Sequence, residues 1–348
     1  MSGYIPEHSL QPGIPLLANE RYFLILDFHF VPAQPSPRKP NQPYIMITRR
    51  QFLGISTFAA GAALLPAPLK ALMMQSDRFR PLRGDVGIYV NRGGTIAWLN
   101  NRDALAVIDT QYPDTAMDCL NGLHRQNERM IDAVLITHHH GDHTGGNGVF
   151  RPYTRQILAH ANVPALQRAA AERQGSLDRQ VYPDHVYRKS YKMDAGGETI
   201  HLRHYGAAHT GGDSVIAFER ANVVHMGDLM FNGLYPFIDV DGGASVNGWI
   251  HTLKTVAGDF GSDTIYVFGH AGGGSEITGS SRDLDAFRAY LEALHAYVAS
   301  GMEAGKSLDE LKTAETLPGF ESMQGAGTFL SLPANVDATW RDLTRRPD

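Results

Sequence analysis

A single cysteine, Cys119, occurs in 348 residues. That excludes an internal disulfide, a multi-cysteine zinc site, an iron–sulfur cluster and a CxxC redox pair, so any metal chemistry must use histidine and carboxylate. Positive charge is not in excess: 31 Lys and Arg face 36 Asp and Glu, a net charge of −5. No global field is available to hold a polyanion, which argues against nucleic acid as the principal partner. Apart from Phe52–Leu69 there is no apolar run long enough to cross a bilayer, and no internal repeat. What remains, 43% hydrophobic and 19% charged residues, is the composition of an ordinary folded protein. Histidine stands out: of 16, four fall within residues 138–143.

Residues 1–45 carry Pro32, Pro35, Pro37, Pro40 and Pro43 without sustained periodicity, the pattern of a leader rather than a packed element. Thr48-Arg49-Arg50-Gln51-Phe52-Leu53, followed by the uncharged, Ala- and Gly-rich stretch to Leu69, resembles a twin-arginine export signal. Ala67 and Ala71 end small-residue cleavage sites, and Met46 would serve as an alternative start with 1–45 an over-extended leader. Pro66 and Pro68 disfavour a stable membrane span. Loss of residues 1–67 leaves 26 basic and 33 acidic residues, a net −7. The expected organisation is a leader at 1–45, a signal peptide at 46–71 and one domain at 78–348, exported or periplasmic and without a stable membrane anchor.

In that domain, β-type runs fall at Val86–Val90, Thr95–Leu99, Ala104–Ile108, Ala133–Thr137, Gln156–Ala159, Thr199–His204, Ser214–Phe218, Asn222–Met226 and Thr264–Phe268. Helical patterns cover about 114–128, 162–174, 246–258 and 282–301, the last with Leu284, Phe287, Leu291 and Leu294 on one stripe. Ser280 with Asp283, and Ser307 with Glu310, are capping signals. Paired strands with helices interspersed predict two sheets sandwiched by helices.

The segment Thr137-His138-His139-His140-Gly141-Asp142-His143-Thr144-Gly145-Gly146 follows the apolar run Ala133–Thr137. Histidines at i and i+2 leaving a strand can converge on one ion, while Asp and His at i+4 and i+5 face a second. Imidazole and carboxylate suit zinc and similar metals, and the glycines permit the sharp turn between them. This segment resembles the signature of metallo-β-lactamase fold hydrolases. Gly206-Ala207-Ala208-His209-Thr210-Gly211-Gly212-Asp213, then His225-Met226-Gly227-Asp228 and Phe268-Gly269-His270, resemble that superfamily's later motifs. The resemblance implies an α/β fold, the αβ/βα four-layer sandwich, and two Zn2+ per chain. His138, His140 and His209 would hold one ion, and Asp142, His143 and His270 the other. Asp228 would bridge them, and Asp109 would orient a ligand from behind. His139 and His225 are expected to point elsewhere.

Such a pair would activate a bridging water to attack a carbonyl, with Asp142 as the catalytic group orienting that water. The implied substrate is a small molecule carrying an ester, thioester, lactone or β-lactam carbonyl. Cys119 precedes the histidine cluster, so it cannot be the cysteine ligand of one β-lactamase subclass. An iron-dependent oxidoreductase of the same fold acting on a sulfur compound, and a non-catalytic metal-binding protein, remain alternatives. Substrate-binding candidates near the ligands are Phe231–Phe237, Trp249 and the loop Gly272-Gly273-Gly274. Asn232 could donate to an oxyanion, although an Asn before Gly is more often a turn residue, and Tyr235, Phe237 and Trp249 are expected to line core or pocket wall rather than read a particular group.

Overall fold

The computed structural model describes residues 78–345, so the expected leader and export signal at 1–71 lie outside the described residues. Short apolar runs, buried on both faces from the second strand to the sixth, build a first sheet. Its strands are β1 (Phe79–Arg83), β2 (Val86–Tyr89), β3 (Ile96–Asn100), β4 (Leu105–Ile108), β5 (Ala133–Leu135), β6 (Ile157–His160) and β7 (His185–Tyr187), in spatial order β1 to β7. The first four pair antiparallel and the rest parallel. Along these strands side chains alternate between two cores. Ala97, Leu99, Ala106, Ile108 and Leu135 face the second sheet. Ile96, Trp98, Leu105, Val107 and Val134 pack with Cys119 and Leu120 of helix α1 (Pro113–His124). Burial on both sides explains why these strands read as unbroken apolar runs rather than alternating ones.

The second sheet contains β8 (Ser190–Ala195), β9 (Glu198–Arg203), β10 (Val215–Phe218), β11 (Val223–His225), β13 (Ile265–Val267) and β15 (Thr278–Gly279), in the order β15-β13-β11-β10-β9-β8. A two-stranded piece pairs β12 (Phe231–Asn232) with β14 (His270–Ala271). Short helices α2 (Gly141–Thr144) and α3 (Asn147–Phe150) follow β5, and α4 (Val163–Gln174) follows β6. The second sheet's core is continuous with the apolar stripes of α5 (Val246–Asp259) and α6 (Ser281–Glu303), through Trp249, Leu253, Phe287, Leu291 and Leu294. The expected sandwich of two sheets between helices is the observed architecture. Ser280 caps α6 as read from sequence, its backbone N–H donating to the Asp283 carboxylate at 2.8 Å. No helix among the described residues is long and apolar enough to cross a membrane.

Besides the short pieces β7, β12, β14, β15, α2 and α3, three longer elements escaped the sequence reading. Strands β1 and β8 have partly exposed, polar-rich faces, and helix α8 (Leu332–Thr344) was not anticipated, although Ser331 caps it and Pro333 sits in its first turn. After the short helix α7 (Leu308–Leu311), the chain returns across the second sheet's helices. It is fastened by a buried relay: Tyr290 Oη donates to Asn335 Oδ1 at 2.7 Å, and Asn335 Nδ2 donates to the Pro236 carbonyl at 2.6 Å. Asn335→Ala strands both partners without water, which costs about 2–3 kcal/mol. Urea denaturation is expected to show that loss, and an unchanged midpoint would remove the relay from the fold's support.

Candidate metal centre

The loops that carry the predicted ligands leave the two sheets at one shared edge. The chain leaves β5, bends at Thr137 and His139, and reaches His140, the N-cap of α2, which is extended with φ −65° and ψ 150°. His138 and His140 converge across this segment, their ring nitrogens 3.0 Å apart, and the helical turn then carries Asp142 and His143 back toward them. His209 comes from the loop between β9 and β10, Asp228 from the 3-10 turn Gly227–Leu229 after β11, and His270 opens β14. The ring of His143 fits only because residue 94 is glycine, since a Cβ there would lie 2.1 Å from His143 Cε1. A Cβ at Gly269 would likewise lie 2.1 Å from Asp228 Oδ1.

All seven predicted ligands come together in two groups, each within 4.8 Å: His138, His140, His209 and Asp228, then Asp142, His143, Asp228 and His270. In the first, His138 Nε2 and His209 Nε2 stand 3.0 and 3.1 Å from His140 Nδ1, with Asp228 Oδ2 at 3.8 and 3.6 Å from the first two. In the second, Asp228 Oδ1 is 2.9 Å from His143 Nε2 and 3.3 Å from His270 Nε2, and Asp142 Oδ2 is 3.1 Å from His270 Nε2. Asp228 therefore turns one oxygen to each group. Ligand bonds of about 2.0–2.2 Å let donors up to about 4 Å apart share one ion.

Proton accounting shows that the groups suit cations. His209 Nδ1 donates to the Phe237 carbonyl at 2.8 Å, which leaves Nε2 as a lone pair. Thr137 Oγ1 donates to Asp109 Oδ2 at 2.7 Å, so it accepts from His138 Nδ1 at 3.0 Å and bares that ring's Nε2. His140 uses Nε2 on Asp239 Oδ2 at 2.9 Å, which leaves Nδ1. Three lone pairs thus face one another, an arrangement a divalent cation satisfies at once. His143 Nε2 and Asp228 Oδ1, though close, are not aligned as a hydrogen bond, and each is buried without a partner.

The electrostatics divide in the same way. Burial pushes His138 well below its ordinary pKa and His209 down to about 3, so both are neutral donors. Burial acts on His143 too, but Asp228, Asp142 and Asp109 outweigh it and hold that ring well above its ordinary value. His270 rises to about 9, the Asp228 carboxylate again overcoming burial. Both shifts come chiefly from carboxylates of the second group, so binding a cation there would displace protons from these rings.

Asp109 stands where the resemblance implied, its Oδ2 2.7 Å from His143 Nδ1 and its Oδ1 accepting the Thr137 N–H at 2.8 Å. It adopts φ +62°, a left-handed conformation costly for a non-glycine residue and common at functional sites. Asp239 is an orienting carboxylate that the sequence reading missed. Alongside its bond to His140, its Oδ1 accepts from Gly242 N at 2.9 Å and its Oδ2 lies 3.3 Å from His139 Nε2. In sequence it is one Asp before a glycine-containing turn, with its partner 99 residues away. As expected, His225 is turned elsewhere, bonding Thr95 O and Gly227 N at 2.9 and 3.0 Å.

Above the groups opens a cleft of about 550 Å³ whose lining includes Asp142, His270, Phe231, Phe237, Phe329 and Leu330. Of the substrate-binding candidates, Phe231 and Phe237 line the cleft, and Trp249 and Tyr235 lie in the core, in keeping with their reading as core or wall residues. Asn232 is not at the cleft, because its amide donates to the Glu276 carbonyl at 2.8 Å and holds a turn. Trp249 is fully buried, its indole N–H on Leu229 O at 3.0 Å, and Tyr235 packs on Tyr290. Gly272–Gly274 is tied to the C-terminal segment instead, where Gln324 Nε2 donates to Gly273 O at 2.8 Å.

A family profile described as the Metallo-beta-lactamase superfamily matches residues 91–316. The 2,4-dinitroanisole O-demethylase subunit alpha of Nocardioides sp. (strain JS1661) is 23% identical over 233 residues, 66% of each chain. Among solved structures, the inverting sec-alkylsulfatase Pisa1 from Pseudomonas sp. superposes with a TM-score of 0.61 at 16% identity, covering 76% of this chain and 50% of that one. A metallo-beta-lactamase from Pontibacter korlensis gives 0.51 at 15% identity, covering 62% and 98%. This chain thus spans about two thirds of the demethylase subunit and half of the alkylsulfatase.

The Asp239–His140 contact predicts that Asp239→Asn, which retains the acceptor for Gly242, weakens the binding of a divalent cation at the first group about tenfold. Chelator competition reads that loss, and an unchanged affinity would make Asp239 a turn residue only.

Proposed function

The chain belongs to the metallo-β-lactamase superfamily, and from that premise we propose that it is a zinc-dependent hydrolase of a carbonyl substrate, an ester, thioester, lactone or β-lactam. The observation that carries this reading is the division of Asp228 between two groups of bare donors. His138, His140 and His209 would hold one zinc ion and Asp142, His143 and His270 the second, with Asp228 giving an oxygen to each. When bound, such ions supply Lewis acidity and bring the pKa of water toward neutrality.

The chain's own residues do the rest. Asp142 is held ionised, its pKa lowered to about 2 because His143 and His270 outweigh the effect of burial. With Oδ2 directed at His270, it keeps Oδ1 for the attacking water, accepts that water's proton and passes it to the leaving oxygen, sulfur or nitrogen. The water oxygen adds to the carbonyl carbon and the bond from that carbon to the leaving atom breaks, which releases an acid with an alcohol or thiol, or opens the ring of a lactone or β-lactam to a single hydroxy or amino acid. The N-terminal pattern supports an exported location, at which small exogenous esters would be met.

A second reading, cleavage of an aryl methyl ether, is favoured by the name of the demethylase relative. The test assays zinc-loaded protein on an aryl ester, a lactone, a thioester, a cephalosporin and 2,4-dinitroanisole. Hydrolysis of a carbonyl substrate is expected, with Asp142→Ala lowering kcat by at least about 10²-fold while the melting temperature of the zinc-loaded protein stays close to wild type. Near-normal turnover in that variant contradicts the role of Asp142, and turnover of the ether alone moves the reaction to the second reading.

A further inference from the structure

The walls of the cleft are aromatic, and their chemistry narrows what can enter. Phe231 stacks on the His270 ring, centroids 5.3 Å apart at 21°, and Phe237 packs on His140 at 5.3 Å. Phe329 meets Phe237 edge-on at 6.4 Å and is 60% exposed. A phenylalanine so open to water beside a cluster of polar donors loses that exposure only when something apolar lies against it. Leu330 and Tyr112 extend the same surface.

Counter-charge is missing from these walls. Among the described residues lining the cleft there is no lysine or arginine, and the polar side chains outside the His/Asp cluster are the neutral Gln174 amide and the Tyr112 phenol. Arg92 covers the Tyr112 ring at 4.4 Å, with its Nη2 donating to both Asp114 oxygens at 2.7 and 2.8 Å, so its charge is paired with a carboxylate and it is not among the lining residues. A carboxylate carried by the substrate away from its reacting carbonyl would therefore lose water and meet ring faces, whose quadrupole is negative. Burying a charge without a partner is strongly disfavoured.

Phe329 is held by a segment with a fixed register. Tyr235 N donates to Gln324 O at 2.9 Å and Gln324 N to Gly233 O at 3.0 Å, so the segment runs as a strand partner of the loop that carries Phe237. Ala326 N closes onto Leu330 O at 3.0 Å and folds the tip that presents Phe329.

We propose that this cleft selects uncharged substrates bearing an aryl group, and that Phe329 is the residue that reads that group. The chemistry rests on the hydrolase reading; the binding preference does not. For an aryl ester the balanced reaction adds water across the acyl–oxygen bond and releases a carboxylic acid and a phenol.

Calorimetry on the full zinc-loaded chain compares acetanilide, a slowly hydrolysed neutral aryl amide, with 4-acetamidobenzoate, the same skeleton carrying a carboxylate. Acetanilide is expected to bind at least about tenfold more tightly, and Phe329→Ala to weaken it about three- to tenfold with little change for the anion. In parallel, the ratio of kcat/KM for phenyl acetate over ethyl acetate falls by a similar factor in that variant. Equal or tighter binding of the anion, no binding of acetanilide at its solubility limit, or an equal effect of Phe329→Ala on both ligands overturns the proposal. Preserved selectivity without turnover of any carbonyl would sink the hydrolase reading alone, and turnover with equal affinities would sink the selectivity alone.

Discussion

Three imidazole lone pairs turned on one another, with a carboxylate shared between them and a second group, form the constraint on which the rest of the site depends. Such a cluster is unstable by itself, since neutral rings with their protons committed outward have nothing to give each other. The protein holds it by fixing each ring from behind. His138 is fixed through Thr137, His140 through Asp239, His143 through Asp109 and His209 through the Phe237 carbonyl. Two of these supports are carboxylates, which raise the basicity of the rings they hold. The left-handed backbone at Asp109 and the close-packed glycines at 94 and 269 are local costs of that arrangement.

The fold makes this possible by ending its strands together. Parallel pairing of β4 with β5 and of β11 with β13 puts the loops after these strands at one edge, where binding sites in such sheets collect. Asp109, His138 and Asp228 each follow a buried strand whose position is set by packing on both faces. The C-terminal segment then adds a wall that the sheets do not supply, with Phe329 and Leu330 brought to the cleft by the Gln324 pairing and the Asn335 relay.

How far the sequence was legible follows from where each signal sits. The nine β-type runs became strands with ends shifted by one or two residues, because their apolar character reflects burial on both faces. The ligands were legible because four lie within six residues, Asp228 and His270 each follow a glycine, and His209 stands two residues before the Gly211-Gly212 pair. Asp239 was not, since its partner is distant in sequence and an Asp in a turn has an ordinary local role. For Asn232 the local signal was the sounder one: an Asn before Gly reads as a turn residue, and its amide serves the turn to Glu276 rather than an oxyanion. Strand β8 was missed because alternate residues are exposed. Phe329 carries no sequence signal at all; its part in the cleft arises from a pairing with a loop some ninety residues earlier.

The most direct test of the dinuclear reading is the metal content of the protein purified without added metal, with zinc and iron quantified per chain. The account predicts about two zinc ions per chain, falling to one or fewer when Asp228 is replaced by alanine. Iron at about one per chain, or no metal above background in a folded protein, would contradict it.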